Sequence, residues 1–174
     1  MIRKIVKSGN KVLREVSKPV KKIDKKILTL ITDLTDTLKI QKEPGGVGLA
    51  ACQIGVNLKI FVMLAKGKIV PVVNPEIISL SEEKVNPKKT NTIMEGCLSL
   101  PNYYTPLSRA KEVTLKYLTA ENKTVTETFS GFEAQIVQHE MDHLNGLMFL
   151  DRLLEQKRKL FKLSGSEWEE VEII

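Results

Sequence analysis

The sequence predicts an α+β fold, a single compact domain over residues 1–174 in which antiparallel β-sheets pack around one central helix. Three observations predict it. Runs that alternate apolar and polar residues stand next to one another across short turns, which favours antiparallel neighbours. One stretch, Ser130 to Gly146, has helical periodicity instead and carries both histidines of the chain. Finally, 174 residues with 42% hydrophobic content suffice for one core, and no Pro/Gly/Ser-rich linker divides them.

Asp24 is a plausible N-cap, and Ile27, Ile31, Leu34 and Leu38 recur at helical spacing, so residues 24–40 are expected to form an amphipathic helix that ends at Pro44 and Gly45. Leu58–Ala65 and Lys68–Val73 are expected as strands around Lys66-Gly67, and the polar segment 81–92, with Pro87, as an exposed loop. Val113, Leu115 and Tyr117 alternate with polar residues, and Lys123–Phe129 follows as the hairpin partner across Thr119–Asn122. Ser130 with Glu133 fits a capping box for the next helix, and Gly146 fits its C-terminal stop. Arg152–Leu163 is basic and periodic and is expected as a further short helix. Trp168, Val171 and Ile173 then suggest a terminal strand in an acidic tail.

The net charge of +6 is uneven: ten Lys/Arg against two acids in residues 1–26, four glutamates and no base in residues 164–174. The usual meaning of such a basic segment is a solvated lysine face, RNA contact being the alternative. No segment has the apolar stretch of a signal peptide or the length of a membrane helix, so a soluble, cytoplasmic protein is expected, with no membrane partner and no specific DNA binding. Two cysteines far apart in such a chain argue against a disulfide framework, and Cys52 is expected to be packed rather than reactive.

Within the central helix, His139-Glu140-Met141-Asp142-His143 has the His-Glu-x-x-His pattern of a metal-dependent hydrolase. At about 100° per residue, Phe132, Ile136, His139 and His143 fall within about a sixth of a turn, so both imidazoles continue an inward apolar stripe. A lone histidine on such a face is more often a satisfied core residue; two at this spacing around a glutamate favour metal binding. A catalytic site takes three protein ligands and leaves one position open. Downstream, Asp151, Glu155 and the glutamates from Glu167 to Glu172 are available, but none lies in a Gly-x-x-His extension. Upstream, Cys97 in Glu95–Pro101 (EGCLSLP) offers a soft thiolate, its ordinary alternative being a small buried apolar residue. The glycine-rich Gly45–Gly55 (GGVGLAACQIG) lacks the ending of a phosphate loop and by itself reads as a tight turn.

Taken together, GVGLAACQ at Gly46–Gln53, EGCLS at Glu95–Ser99 and QHEMDHLNG at Gln138–Gly146 resemble the three signature motifs of the peptide deformylases, and Val12–Arg14 (VLR) matches as well. The resemblance implies hydrolysis of the N-formyl group from the formyl-methionine of new polypeptides, with formate as product. It implies that Cys97, His139 and His143 hold one divalent ion whose water loses a proton near neutral pH, and that Glu140 takes that proton and passes it to the leaving amine. Gln53 and the backbone N–H of Leu98 are the implied oxyanion donors, and Val47 and Gly48 the backbone beside which the peptide lies as an added strand. Val47, Ile93, Phe132 and Ile136 are then the walls of the methionine pocket. The implied cellular metal is Fe²⁺, with Zn²⁺, Ni²⁺ or Co²⁺ able to replace it. The implied partners are N-formylmethionyl peptides and, transiently, the ribosome. Glu95 with Arg109 is expected as an ion pair, and Asp142 as an orienter of a histidine or an anchor of the helix. Tyr104 stands where several relatives have arginine. Two other classes compete: a metallopeptidase cleaving unformylated chains, and a binding module with a structural metal, which would close all four positions with protein ligands.

Overall fold

Helix α1 (Lys25–Lys39) begins where its sequence supplies a cap: the Asp24 carboxylate accepts from the N–H groups of Lys26 and Ile27 at 2.9 and 3.0 Å, a cap worth about 1 kcal/mol. It ends at Lys39, one turn before Pro44, and Pro44 itself lies outside the described residues. The computed structural model describes residues 1–42, 45–85 and 94–172. The lysines at 18, 21, 22, 25 and 26 are exposed, as a solvated face requires.

A five-stranded sheet and a four-stranded sheet carry the rest, and every pairing within them is antiparallel. The first has the order β1 (Gly48–Ala50), β2 (Ile60–Ala65), β3 (Lys68–Leu80), β6 (Glu112–Leu118), β7 (Thr124–Ser130). Strand β2 is apolar on both faces because both are covered. Ile60 and Val62 pack with Leu34 and Leu38 of α1. Phe61 and Met63 pack with Ala134, Ile136 and Val137 of α2 (Gly131–Leu144). Each such fully buried side chain contributes about 1.5–3 kcal/mol. The helix bearing the histidines is thus held against the middle of the sheet. The β6–β7 hairpin forms as expected, with Val113, Leu115 and Tyr117 buried on one side.

Strand β3 runs seven residues past the expected end at Val73. Asn74-Pro75, which looks like a stop, makes a bulge instead. The Asn74 amide spans the backbone of Val20, accepting from its N–H and donating to its C=O at 2.8 Å each, so the kink is satisfied and the strand changes partner from β2 to β6. The expected loop begins at Ser81, and its remainder from residue 86 lies outside the described residues.

The Ser130–Glu133 capping box does not form. Ser130 is the last residue of the β7 ladder and its side chain makes no cap, while Glu133 accepts instead from the Lys66 N–H at 2.7 Å. At the other end Gly146 stops α2 as predicted. Its N–H donates to His143 O and that of Leu147 to Asp142 O, a six-to-one closure with a left-handed residue at the turn.

The helix expected over residues 152–163 is also corrected. Helix α3 (Phe149–Glu155) is shorter, and Leu160 begins a hairpin, β8 (Leu160–Ser164) with β9 (Glu167–Val171). Lys157 takes a left-handed φ of 52° that breaks the helix, and β8 then pairs with the edge of β5 (Leu100–Thr105). The second sheet therefore has the order β4 (Glu95–Cys97), β5, β8, β9. The terminal strand is present; Ile173 lies outside the described residues.

A side chain at Gly146 would sit 2.6 Å from Arg14 O, on backbone at φ 73°. Gly146→Ala is therefore expected to lower stability by about 1–3 kcal/mol. Gly165→Ala, also left-handed at φ 63° but with no atom within 4 Å of the added methyl, should cost only about 1 kcal/mol. Denaturant midpoints decide the point, and equal losses would remove the packing explanation.

Candidate metal centre

The three motifs converge at one end of α2. Cys97 is the last residue of β4, and His139 and His143 lie one turn apart on the helix, their rings 4.8 Å apart and nearly perpendicular. Among the described residues these are the group whose ligand atoms converge, all within 4.8 Å of one another. Cys97 Sγ is 3.2 Å from His143 Nε2. A thiolate and two imidazoles are a soft and borderline donor set suited to zinc or ferrous iron. Glu140, which lines the cavity beside them, has its Oε2 buried without a hydrogen-bond partner among the described residues, as befits a cavity built to receive something polar.

Electrostatics agree with this. Burial alone would push the Cys97 thiol up, but the two imidazoles pull it well below its ordinary value. Burial lowers His139, and Cys97 and Glu95 more than reverse that. Glu95 is buried, a condition that raises a carboxyl, yet His139 and Arg109 hold it at about 2. Cys52, by contrast, is desolvated with Glu140 and Cys97 nearby and is pushed up to about 12, and its thiol donates weakly to His143 O at 3.7 Å. It is packed, not poised.

The expected Glu95–Arg109 pair is present and two-pronged, at 2.6 and 3.0 Å. The same carboxylate takes the Nδ1 of His139 at 2.8 Å, an orienting contact for which Asp142 is one candidate in the sequence, anchoring of the helix being its alternative there. The Asp142 carboxylate pairs with arginines, with no hydrogen bond to a histidine among the described residues. It joins Arg109 at 2.7 Å and Arg152 of α3 at 2.7 Å, so its place is that of an anchor. The downstream acids are engaged elsewhere: Asp151 with Arg14 at 2.5 Å, Glu155 with Arg152 at 2.8 Å.

Glu140 lies between the two histidines with its carboxylate buried, and burial pushes it up to about 7 against the pull of both imidazoles. Its neighbour is Gly48: a Cβ built there would collide with Glu140 Oε1, so a side chain at that position has to displace the carboxylate. Gln53 is buried in the turn Ala51–Ile54. Its Oε1 accepts from Ala50 N–H at 2.9 Å, which aims Nε2 at Cys97 Sγ (3.4 Å) and Ser99 Oγ (3.2 Å).

These groups open into a cleft of about 200 Å³. Val47, Gly48, Leu98, Phe132 and Ile136 all line it, while Ile93 lies outside the described residues. Phe132 stands at the mouth, 40% exposed, and Ile136 is buried below it. Two further wall residues had no signal of their own in the sequence, Gln135, whose amide reaches Glu95 at 3.4 Å, and Asn102, while Tyr104, which stands where several relatives have arginine, is a wall as well. The edge of the Tyr104 ring meets Trp168 of β9, centroids 5.2 Å apart.

Comparison with known proteins places this geometry. The family model described as polypeptide deformylase matches residues 2–159. A peptide deformylase of Pseudothermotoga lettingae is 43% identical over 158 residues, 91% of this chain and 86% of that protein. The crystal structure of the Thermotoga maritima peptide deformylase superposes with a TM-score of 0.78 at 36% identity, covering 87% of this chain and 97% of that one. A Met-Ala-Ser-bound peptide deformylase of Acinetobacter baumannii superposes at 0.79 with 31% identity, over 87% and 98% of the two chains. With the match running through all three motifs and through the strands and helix that bring them together, the chain belongs to the polypeptide deformylase family.

Proposed function

We propose that this chain, acting as one catalytic domain, removes the N-formyl group from the formyl-methionine of new polypeptides, in the cytoplasm and at or near the ribosome. The observation that carries the reading is the convergence of Cys97, His139 and His143 beside an unligated, buried Glu140. Cys97, His139 and His143 would hold a divalent ion, which when bound would supply Lewis acidity. The chain's residues supply the rest. Glu140, made basic enough by burial, accepts a proton from water and delivers it to the leaving amine. The Gln53 amide, held in orientation by Ala50, and the Leu98 N–H stabilise the charge that develops on the formyl oxygen. Val47 and Gly48 stand at the head of edge strand β1, where an extended peptide can pair as an added strand with its methionine between Val47, Phe132 and Ile136. A relative that binds Met-Ala-Ser supports a peptide beginning with methionine as the occupant. Among the described residues no helix is long and apolar enough to cross a membrane.

Formate release from formyl-Met-Ala-Ser tests the reading; internal cleavage of an unformylated peptide without formate would transfer it to the metallopeptidase alternative. Glu140→Gln is expected to keep its metal and to lose at least about a hundredfold in kcat. Gly48→Ala, which pushes the Glu140 carboxylate aside, should lose about tenfold or more with the metal likewise retained. Near-normal turnover in Glu140→Gln would refute the base.

Cys97→Ser should lower the metal bound after dialysis by more than tenfold, because a hydroxyl replaces a thiolate. Cys52→Ser should leave metal content unchanged. Parallel loss in both variants would mean that the ligand assignment is wrong.

For the ion itself we propose Fe²⁺ in the cell, with Zn²⁺, Ni²⁺ or Co²⁺ able to replace it. A ferrous centre with a thiolate ligand is oxidisable at both metal and sulfur. Protein loaded with iron in the absence of oxygen should lose activity over hours in aerated buffer, while nickel-loaded protein keeps most of its own. Undiminished activity in both, with metal content constant, would remove iron as the working metal.

A further inference from the structure

The second sheet has two faces with different surroundings. On one, Tyr103, Leu160 and Val171 pack with Phe149 and Leu153 of α3. The register defines the other: Tyr104 lies opposite Phe161, and Leu163 opposite Trp168, so the two-residue period puts these four large side chains on one side. The core clusters among the described residues do not include them. Trp168 is 50% exposed, and its only aromatic neighbour among the described residues is Tyr104. Tyr104 is also a wall of the metal cleft. An apolar surface therefore starts inside the cleft and runs out of it along the hairpin. That hairpin begins at Leu160, just past residue 159 where the family match ends.

We propose that Trp168, together with Tyr104, forms a downstream subsite of the cleft that takes an apolar or aromatic side chain of a formylated peptide, at its third to fifth residue. The inference rests on the deformylase reading. Continuity decides the occupant. A peptide leaving the cleft past Tyr104 advances about 3.3 Å per residue when extended, so one or two residues bridge the 5.2 Å between the Tyr104 and Trp168 rings. Charge decides the side chain. Glu170, opposite Phe161 and the one carboxylate that β9 places on this face, is already bonded to Lys159 at 2.8 Å. Tryptophan offers a large, rigid contact for apolar and aromatic groups.

The test uses the metal-loaded protein and formylated pentapeptides, formyl-Met-Ala-Gly-Gly-Gly and the three versions in which phenylalanine replaces one glycine. At one of these positions the wild type should favour phenylalanine by about threefold to tenfold in kcat/KM, the worth of one aromatic contact, through KM rather than kcat. Trp168→Ala should bring that ratio to about one, and Trp168→Phe should keep most of it. A preference that survives Trp168→Ala, the lack of any preference in the wild type, or a fall in kcat equal for all peptides would overturn the subsite while leaving deformylation standing. Sedimentation of both proteins adds a further arm: a wild-type dimer that Trp168→Ala dissociates would assign this face to a second copy and overturn the proposal. A wild type that releases no formate from the all-glycine peptide would refute the functional reading itself, and the subsite with it.

Discussion

The Glu95 carboxylate is the joint on which the centre depends. It is nearly fully buried, and so are Arg109 and Asp142, at 5, 6 and 6% exposure. Charges removed from water are tolerated only with close partners, and here the pairing is continuous: Glu95 binds Arg109 on two prongs, Arg109 binds Asp142, and Asp142 binds Arg152. This chain of ions links β4, which carries Cys97, to α2, which carries the histidines, and α2 to α3. Glu95 then takes the Nδ1 of His139. That contact places a proton on Nδ1, so the neutral form of His139 has the lone pair of Nε2 for the cavity. Glu95, Arg109 and Asp142 each hold two partners, so removing one member weakens the pairing of its buried neighbours, and the ligand geometry and the fold around it share one set of contacts.

Much of this was legible in the sequence where the information is local. Asp24 and the helical recurrence from Ile27 to Leu38 gave α1 its start and face, and the alternation from Val113 to Tyr117 gave a hairpin that formed as expected. The histidine spacing located one side of the centre for the same reason, since the period of a helix is written in adjacent residues. The misreadings have the opposite origin. Leu153, Leu154, Leu160 and Leu163 satisfy a helical period, but short apolar runs fit a strand equally well, and the free edge of β5, distant in sequence, decided for β8. Asn74-Pro75 reads as a terminator until Val20 is seen to satisfy the Asn74 amide. The contact between Glu95 and His139 spans 44 residues. A polar pairing of that range leaves no periodic trace, and of the two roles the sequence allows Asp142, orienter or anchor, only the contacts with Arg109 and Arg152 decide for the anchor.

The placement of α2 explains why so small a site can be held firmly. Strand β2 is covered by α1 on one face and by α2 on the other, so the histidine helix is fixed by the packing of Ala134, Ile136, Val137 and Leu144 and not by its own propensity. The second sheet has a looser constraint. Only its inner face is committed to the core, through Leu160 and Val171 against α3. Its outer face is free to vary without loss of the fold, which is the condition under which a chain can alter the outer wall of a cleft while the metal ligands stay fixed.

Two buried carboxylates near the same helix end have been driven in opposite directions, and the difference follows from their neighbours. Glu95 is held at about 2 because cationic partners more than offset its desolvation. Glu140, desolvated to a similar degree, has no guanidinium; its Oε2 is unpartnered among the described residues, Gly48 backbone closes over Oε1, and burial carries it to about 7. One group is thereby fixed as an anion that orients, and the other is left able to gain and lose a proton near neutrality. Paired carboxyls separated in this way are what acid–base chemistry requires. Gly48 is part of that separation: a larger residue would displace the one carboxylate whose isolation gives it a basic role, so the glycine motif serves the proposed chemistry through the space it leaves empty.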